Sequence, residues 1–152
     1  MTARTRLLGV DFGTVRVGLA VCDAGRIIAS PLAVYQRRDQ AKDADYFRKL
    51  VEVEQVGGLV VGLPVHMSGD EGGKAKEARA FGNWLATTTG LPVVYWDERF
   101  TTKTAESYLR EAGLTRQRRK DCRDKVAAQI LLQAYIDAGC PPEQPIAPVQ
   151  ER

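Results

Sequence analysis

Residues 7–35 read LLGVDFGTVRVGLAVCDAGRIIASPLAVY, and this stretch decides the fold. It holds three β-rich segments: LLGVDF (7–12), VRVGLAVCD (15–23) and RIIASPLAVY (26–35). Phe12-Gly13-Thr14 makes a tight turn between the first two, and Asp23-Ala24-Gly25 is a turn signal before the third. Strands joined by such short turns predict an antiparallel meander. Pro31 weakens the middle of the third strand or marks its end. One residue fits the pattern badly. Asp11 interrupts an apolar run, and the first basic residue after it is Arg16. A buried carboxylate is costly unless something compensates its charge.

Beyond residue 35 the period changes. Phe47, Leu50, Val51, Val53 and Val56 follow an approximately helical spacing, which predicts a helix over 42–56. GGLVVGLPV (57–65) is a short apolar run bounded by Gly and Pro, as in a buried central strand. SGDEGG (68–73) reads as a loop, and KAKEARAFGNWLATTTG (74–90) as a helix stopped by Gly90. LPVVYWDERF (91–100) predicts a second buried strand that runs into charge. TTKTAESYLREAG (101–113) has hydroxyl caps at its start and Gly113 at its end, a helix with both signals. A basic loop, TRQRRKDCRDK (115–125), leads to a last helix over DKVAAQILLQAYIDAG (124–139), which Asp124 opens. The order βββ-α-β-α-β-α-α predicts an α/β fold with a mixed sheet and helices on both faces. Residues 1–139 make one domain, and the Pro-rich segment 140–152 is expected to be a flexible tail.

A chain of 152 residues with 44% hydrophobic and 27% charged residues suits a single soluble domain with a real core. No apolar run is long enough for a transmembrane helix, and Asp11 and Arg16 break up any signal-peptide pattern. Cys22, Cys122 and Cys140 form no CxxC pair and read as reduced thiols, so a cytoplasmic location is expected. The one histidine, His66, is far from them in sequence, which argues against a zinc site. The net charge of +3 is mild, but its distribution is uneven. Arg116, Arg118, Arg119, Lys120, Arg123 and Lys125 stand against Asp121 and Asp124 in one short segment. Such a cluster is either a phosphate-binding surface or a solvated loop.

Three acidic positions can converge. Asp11 lies in the first strand, Asp97 and Glu98 at the carboxyl end of the last strand, and Asp124 at the start of the last helix. Ligands bind beyond the carboxyl ends of strands in α/β sheets. The residues at helical spacing from Asp124 are Ala128, Leu131 and Tyr135, an apolar face that should pack on the sheet. Each acid also has a plain structural reading: a helix first-turn charge for Asp124, and an ion pair with Arg99 for Asp97 or Glu98. Asp11 is the hardest to dismiss. If the three meet, their repulsion raises their pKa values unless a cation is present. Oxygen-only ligation suits Mg²⁺ or Mn²⁺, and such a site beside a basic segment suits phosphodiester hydrolysis.

The segments GVDFGTVRVGLAV, VVGLPVHMSGDEG, YWDERFTT and DKVAAQILLQAY stand in the order and spacing of the YqgF family, which the chain resembles over residues 6–139. These are Holliday-junction-resolvase-like proteins, also described as nucleases of the 16S ribosomal RNA precursor. The resemblance implies a ribonuclease H-like fold and a metal-dependent nuclease with Asp11, Glu98 and Asp124 as catalytic and metal-holding acids. It favours Glu98 over Asp97, a choice the residues alone leave open. It gives Thr14, Thr101 and Thr102 supporting hydrogen bonds. Arg16, Arg99, Arg116, Arg118, Arg119, Lys120 and Arg123 become candidate nucleic-acid contacts. The chain departs from the family pattern at Val65-His66, where Leu-Asn is usual, and at Arg123, where an apolar residue is usual.

The expected substrate is nucleic acid, with RNA preferred and single-stranded or branched DNA as alternatives, for a monomer or homodimer. A resolvase acting on four-way junctions requires a dimer, because two strands are cut symmetrically. DFGT also resembles a phosphate-binding turn of actin-like ATPases, but 152 residues are too few for their two lobes. A nucleic-acid-binding factor without catalysis would not need all three acids.

Overall fold

The computed structural model describes residues 5–64, 72–98 and 116–142, with the side chains of 116–125 outside the description. Three strands come first: β1 (Arg6–Asp11), β2 (Arg16–Cys22) and β3 (Ala29–Gln36). They pair antiparallel in sequence, as the meander reading expects. Helix α1 (Gln40–Val53) crosses to β4 (Val56–Leu63), which lies parallel to β1 on its other side. Helix α2 (Gly73–Thr89) then crosses to β5 (Val93–Asp97), parallel to β4. The sheet order is β3-β2-β1-β4-β5. The last described helix is α3 (Arg116–Asp137).

The two faces of the sheet are filled differently. Leu8, Val10, Val17, Leu19, Val61 and Leu63 point to one face and pack with Phe47 of α1 and Phe81 and Leu85 of α2. Leu7, Ala20, Cys22 and Val60 point to the other and pack with Ala128, Leu132 and Tyr135 of α3. Gly9 lets α3 come close: a Cβ there would sit 2.8 Å from Leu132 Cβ and 3.0 Å from the Ala128 carbonyl oxygen.

Several expected boundaries move, each for a local reason. The first helix starts at Gln40, where the Asp39 side chain accepts from the Lys42 amide at 2.8 Å, and it ends at Val53. Gln55 turns left-handed (φ 55°), so Val56 begins β4 instead of continuing the helix to 56. The third strand begins at Ala29, not Arg26, and leaves Ile27 and Ile28 exposed. Pro31 sits within this strand because β3 is an edge strand, and the register shifts beside its partner Ala20. β5 is the other edge, and four of its five residues are only half-buried, so the fully buried strand expected there is not found. Val15 is exposed and lies outside β2.

The larger correction concerns the basic segment. Residues 116–125 are not a loop: the backbone is helical from Arg116 onward, and Asp124 lies well inside α3 instead of opening it. Arg, Gln and Lys are good helix formers, and nothing between Arg116 and Asp137 is Gly or Pro. A first-turn dipole role for Asp124 is therefore removed. The helix expected over 101–113 lies outside the described residues.

Candidate active site

Asp11 is the last residue of β1, and its cross-strand partner in β2 is Gly18, which faces Val34 of β3. On the other side Val10 faces Val61, so Gly62 is the next residue of β4 beside Asp11, and Gly62 faces Trp96 of β5. Glycine thus flanks Asp11 on both neighbouring strands. Side chains at i and i+2 share a face. Asp11 therefore points to the face of Leu7 and Gly9, the one that α3 covers. The space above Gly62 is taken by the Glu98 carboxyl: a Cβ at Gly62 would overlap its Cγ, Cδ and Oε1. After Asp11 the chain turns sharply. Gly13 meets the Arg16 carbonyl so closely that no side chain fits there. Around this turn lies a cleft of about 280 Å³, lined by Asp11, Phe12, Gly13, Thr14, Arg16 and Gly18 together with Val15 and Val34.

The electrostatics of this corner are unusual. The Glu98 pKa is pushed from 4.5 up to about 9, first by burial, then by the charge of Asp11, by a hydrogen bond with Asp11 and by the charge of Asp97. Two carboxyls this close cannot both ionise without a cation, so Glu98 keeps its proton and donates it to the Asp11 carboxylate. The two side chains that the sequence could not choose between are separated here. β5 ends at Asp97, opposite Leu63, and Glu98 is the residue that reaches Asp11. Asp97 acts on Glu98 through its charge.

The other candidates fall into three groups. Thr14 and Arg16 line the cleft with Asp11. Asp124, Arg116, Arg118, Arg119, Lys120 and Arg123 belong to α3, with side chains outside the description; Asp124 stands one helical turn before Ala128, whose carbonyl lies against Gly9 of β1. Arg99, Thr101, Thr102, His66 and most of the 68–73 loop lie outside the described residues.

Sequence reading missed Arg37 and Asp43. The Asp43 carboxylate is 1% exposed and accepts from the Tyr35 hydroxyl at 2.6 Å and from the Arg38 amide at 2.9 Å. It also lies 3.6 Å from Arg37 Nε, an atom with no hydrogen-bond partner among the described residues. The Arg37 guanidinium sits over Phe12 at 5.4 Å and Phe81 at 5.2 Å, and the Arg37 amide donates to the Val15 carbonyl at 2.9 Å. The turn that follows Asp11 is therefore clamped from the α1 side. An acid one helical turn before Tyr46 and Phe47, as Asp43 is, was the one available signal.

Comparison with known proteins agrees with this architecture. The family model described as "RuvX: Holliday junction resolvase" matches residues 5–138. A protein of Rhodopirellula baltica named "Putative pre-16S rRNA nuclease" is 48% identical, over 90% of this chain and 79% of that protein. A protein of Syntrophomonas wolfei with the same name is 42% identical, over 88% of this chain and 95% of its own length. Among solved structures, Thermus thermophilus RuvC in complex with a Holliday junction substrate aligns with a TM-score of 0.55 at 15% identity, covering 91% of this chain and 98% of that one. That likeness establishes the ribonuclease H-like fold. With the family model matching residues 5–138 of the 152 and relatives at this level of identity, the chain belongs to the RuvX (YqgF) family.

Proposed function

We propose that this protein is a metal-dependent nuclease that hydrolyses phosphodiester bonds in RNA, with the 16S ribosomal RNA precursor as its substrate. One observation carries the reading. The Asp11 and Glu98 carboxyls are hydrogen-bonded to each other, Asp11 lines an open cleft, and glycine stands on both strands beside it. The donor set is all oxygen, which fits a hard divalent cation. Asp11, Glu98 and Asp124 are the residues assigned to hold it, as Mg²⁺ or Mn²⁺. Such an ion, when bound, supplies Lewis acidity to the attacking water and the leaving oxygen. The chain's own residues do the rest. With an ion held there, Glu98 would be in its ionised form, its proton passing to solvent. Thr14 and Arg16, on the cleft wall, hold the phosphate that faces Asp11. Arg99, Thr101, Thr102 and the basic residues Arg116, Arg118, Arg119, Lys120 and Arg123 extend that grip.

The names of the relatives favour RNA. The likeness to a RuvC–junction complex keeps a second reading, cleavage of branched DNA by a dimer. The test compares precursor ribosomal RNA, single strands and four-way junctions at one salt concentration with Mg²⁺ or Mn²⁺, using the wild type and Asp11→Asn. Asp11→Asn should lower cleavage by more than about a hundredfold, the scale of losing an ion that carries transition-state charge. Undiminished cleavage by the variant sinks the role of Asp11. Preferred cutting of junctions by a dimer selects the second reading.

A further inference from the structure

A second cavity lies on the outer edge of the sheet, away from the carboxyl pair. It has a volume of about 590 Å³ and runs between β3 and α1, lined by Val34, Tyr35, Arg38, Lys42, Tyr46 and Lys49. Gln36 and one acid, Asp45, also line it. Arg38, Lys42 and Lys49 are exposed, and Lys42, Tyr46 and Lys49 recur at helical spacing along one stripe of α1. Residues 37–49 hold five cations, Arg37, Arg38, Lys42, Arg48 and Lys49, against three acids, Asp39, Asp43 and Asp45. Asp45 lies 3.7 Å from Arg48, and Asp39 lies 3.8 Å from Lys42. Asp43 is buried and bound to Tyr35, Arg38 and Arg37. The field of the groove is therefore positive.

The aromatic pair at its floor is rigid. Tyr35 and Tyr46 stack with ring centroids 3.9 Å apart and planes at 15°. The Tyr35 hydroxyl is tied to Asp43, and burial with that neighbouring carboxylate pushes its pKa to about 12, so it stays neutral. A positive groove with a fixed aromatic floor is the arrangement that binds single-stranded nucleic acid, with cations tracking phosphates and rings meeting bases. The groove neighbours the cleft across β3. Val34 lines both cavities, and Arg16 of the cleft faces Gln36 of the groove across the β2–β3 ladder. Among the described residues β3 is an edge strand with no further strand beyond it, so a chain leaving the cleft can pass around it.

We propose that this groove is a distal binding site for the nucleic-acid strand whose phosphodiester bond lies at Asp11. The strand leaves the cleft past Arg16 and Val34, and Arg38, Lys42 and Lys49 take its phosphates. This rests on the nuclease reading above and adds a length dependence to it. A strand of only about two nucleotides, one on each side of the bond at Asp11, occupies the cleft alone, whereas one of about twenty reaches the groove.

The experiment combines Arg38→Ala, Lys42→Ala and Lys49→Ala. All three are surface changes that leave backbone hydrogen bonds in place, so the Tm should stay close to that of the wild type. Binding of labelled single-stranded RNA is measured against salt, and cleavage against strand length. For the long strand, the triple variant should bind at least about tenfold more weakly, with a salt slope lower by about 2, as expected for three lost phosphate contacts. For the short strand, binding and cleavage should match the wild type. An unchanged salt slope on the long strand, or an equal loss on both lengths, overturns the proposal. So does competition by polyglutamate as effective as by RNA, which would make the groove a site for acidic protein. The two readings fail separately. A wild type that cuts no strand of any length ends the nuclease reading, and this one with it. A wild type that cuts, matched by the triple variant on long strands, ends this one alone.

Discussion

The two faces of the sheet are built to different plans. On the α1–α2 face the helices are held by bulk. Phe47 and Phe81 meet at 5.8 Å and Phe47 and Trp84 at 6.4 Å, over Leu8, Val10 and Leu63. On the α3 face small residues, Gly9, Ala20 and Ala29 on the strands and Ala128 on the helix, let α3 in beside a second core of Leu7, Val60, Leu132 and Tyr135. Large side chains bury area and set the stability of the fold. Small ones let a helix backbone approach a strand, and only that face carries the Asp11–Glu98 pair. The Phe47 aromatic cluster and the acid pair thus lie on opposite faces of the sheet.

The strongest way to break this contrast is to damage the bulky face. Phe47 is fully buried at the centre of the aromatic cluster, so Phe47→Ala should cost about 3–5 kcal/mol of stability. Chemical denaturation measures the loss, and cleavage per folded molecule should stay near the wild-type value. A variant that keeps its stability, or that stays folded and loses its cleavage rate, would show that the two faces are not independent.

The converse substitution is on the other face. Gly62→Ala places a methyl group where the Glu98 carboxyl now lies. Glu98 is the flexible end of a side chain just past the end of β5, so it can swing away at little cost in stability. The Asp11–Glu98 contact would be lost with it. Cleavage should fall about ten- to a hundredfold, or about 1.4–2.7 kcal/mol of barrier, while the Tm hardly moves. A loss of stability comparable to that of Phe47→Ala would place Gly62 with the structural residues instead.

The sequence made the bulky face easier to read than the small one. Alternation and turn residues in 7–35 specify the meander, and the spacing of Phe47, Leu50 and Val51 specifies α1, because burial imposes a period. Asp11 was visible for the converse reason, as a charge inside such a pattern. The extent of α3 was not, because the charged run 116–123 has no apolar period to mark it, and helix propensity alone is a weak signal. Asp97 and Glu98 could not be told apart by strand alternation, because the strand ends between them. The roles of Gly18 and Gly62 depend on pairing between strands, and that of Asp43 on Tyr35 and Arg37. Such contacts exist only once the chain is folded.

The finest test of the contrast is its pH dependence. Glu98 has an ordinary pKa of 4.5 and a folded-state value near 9, whereas the shifted group of the aromatic face, Tyr35, moves from 10 to about 12, above that window. Between those values the unfolded chain releases the Glu98 proton and the folded chain keeps it, so the unfolded state binds fewer protons and stability falls as pH rises. The contribution is fully present below pH 4.5 and is lost as pH rises through the folded value near 9. One proton limits the slope to about 1.4 kcal/mol per pH unit, and water reaching the partly open cleft lowers it. Denaturation of chelator-treated protein at a series of pH values measures it. Glu98→Gln keeps a neutral hydrogen-bond donor toward Asp11 but has no proton to lose, so its profile should be flatter over that window. Saturating Mg²⁺ should flatten the wild-type profile too, since a bound cation favours the ionised pair. If Glu98→Gln leaves the slope as steep as in the wild type, the proton is held elsewhere, and the carboxyl pair is not what sets this face of the sheet apart.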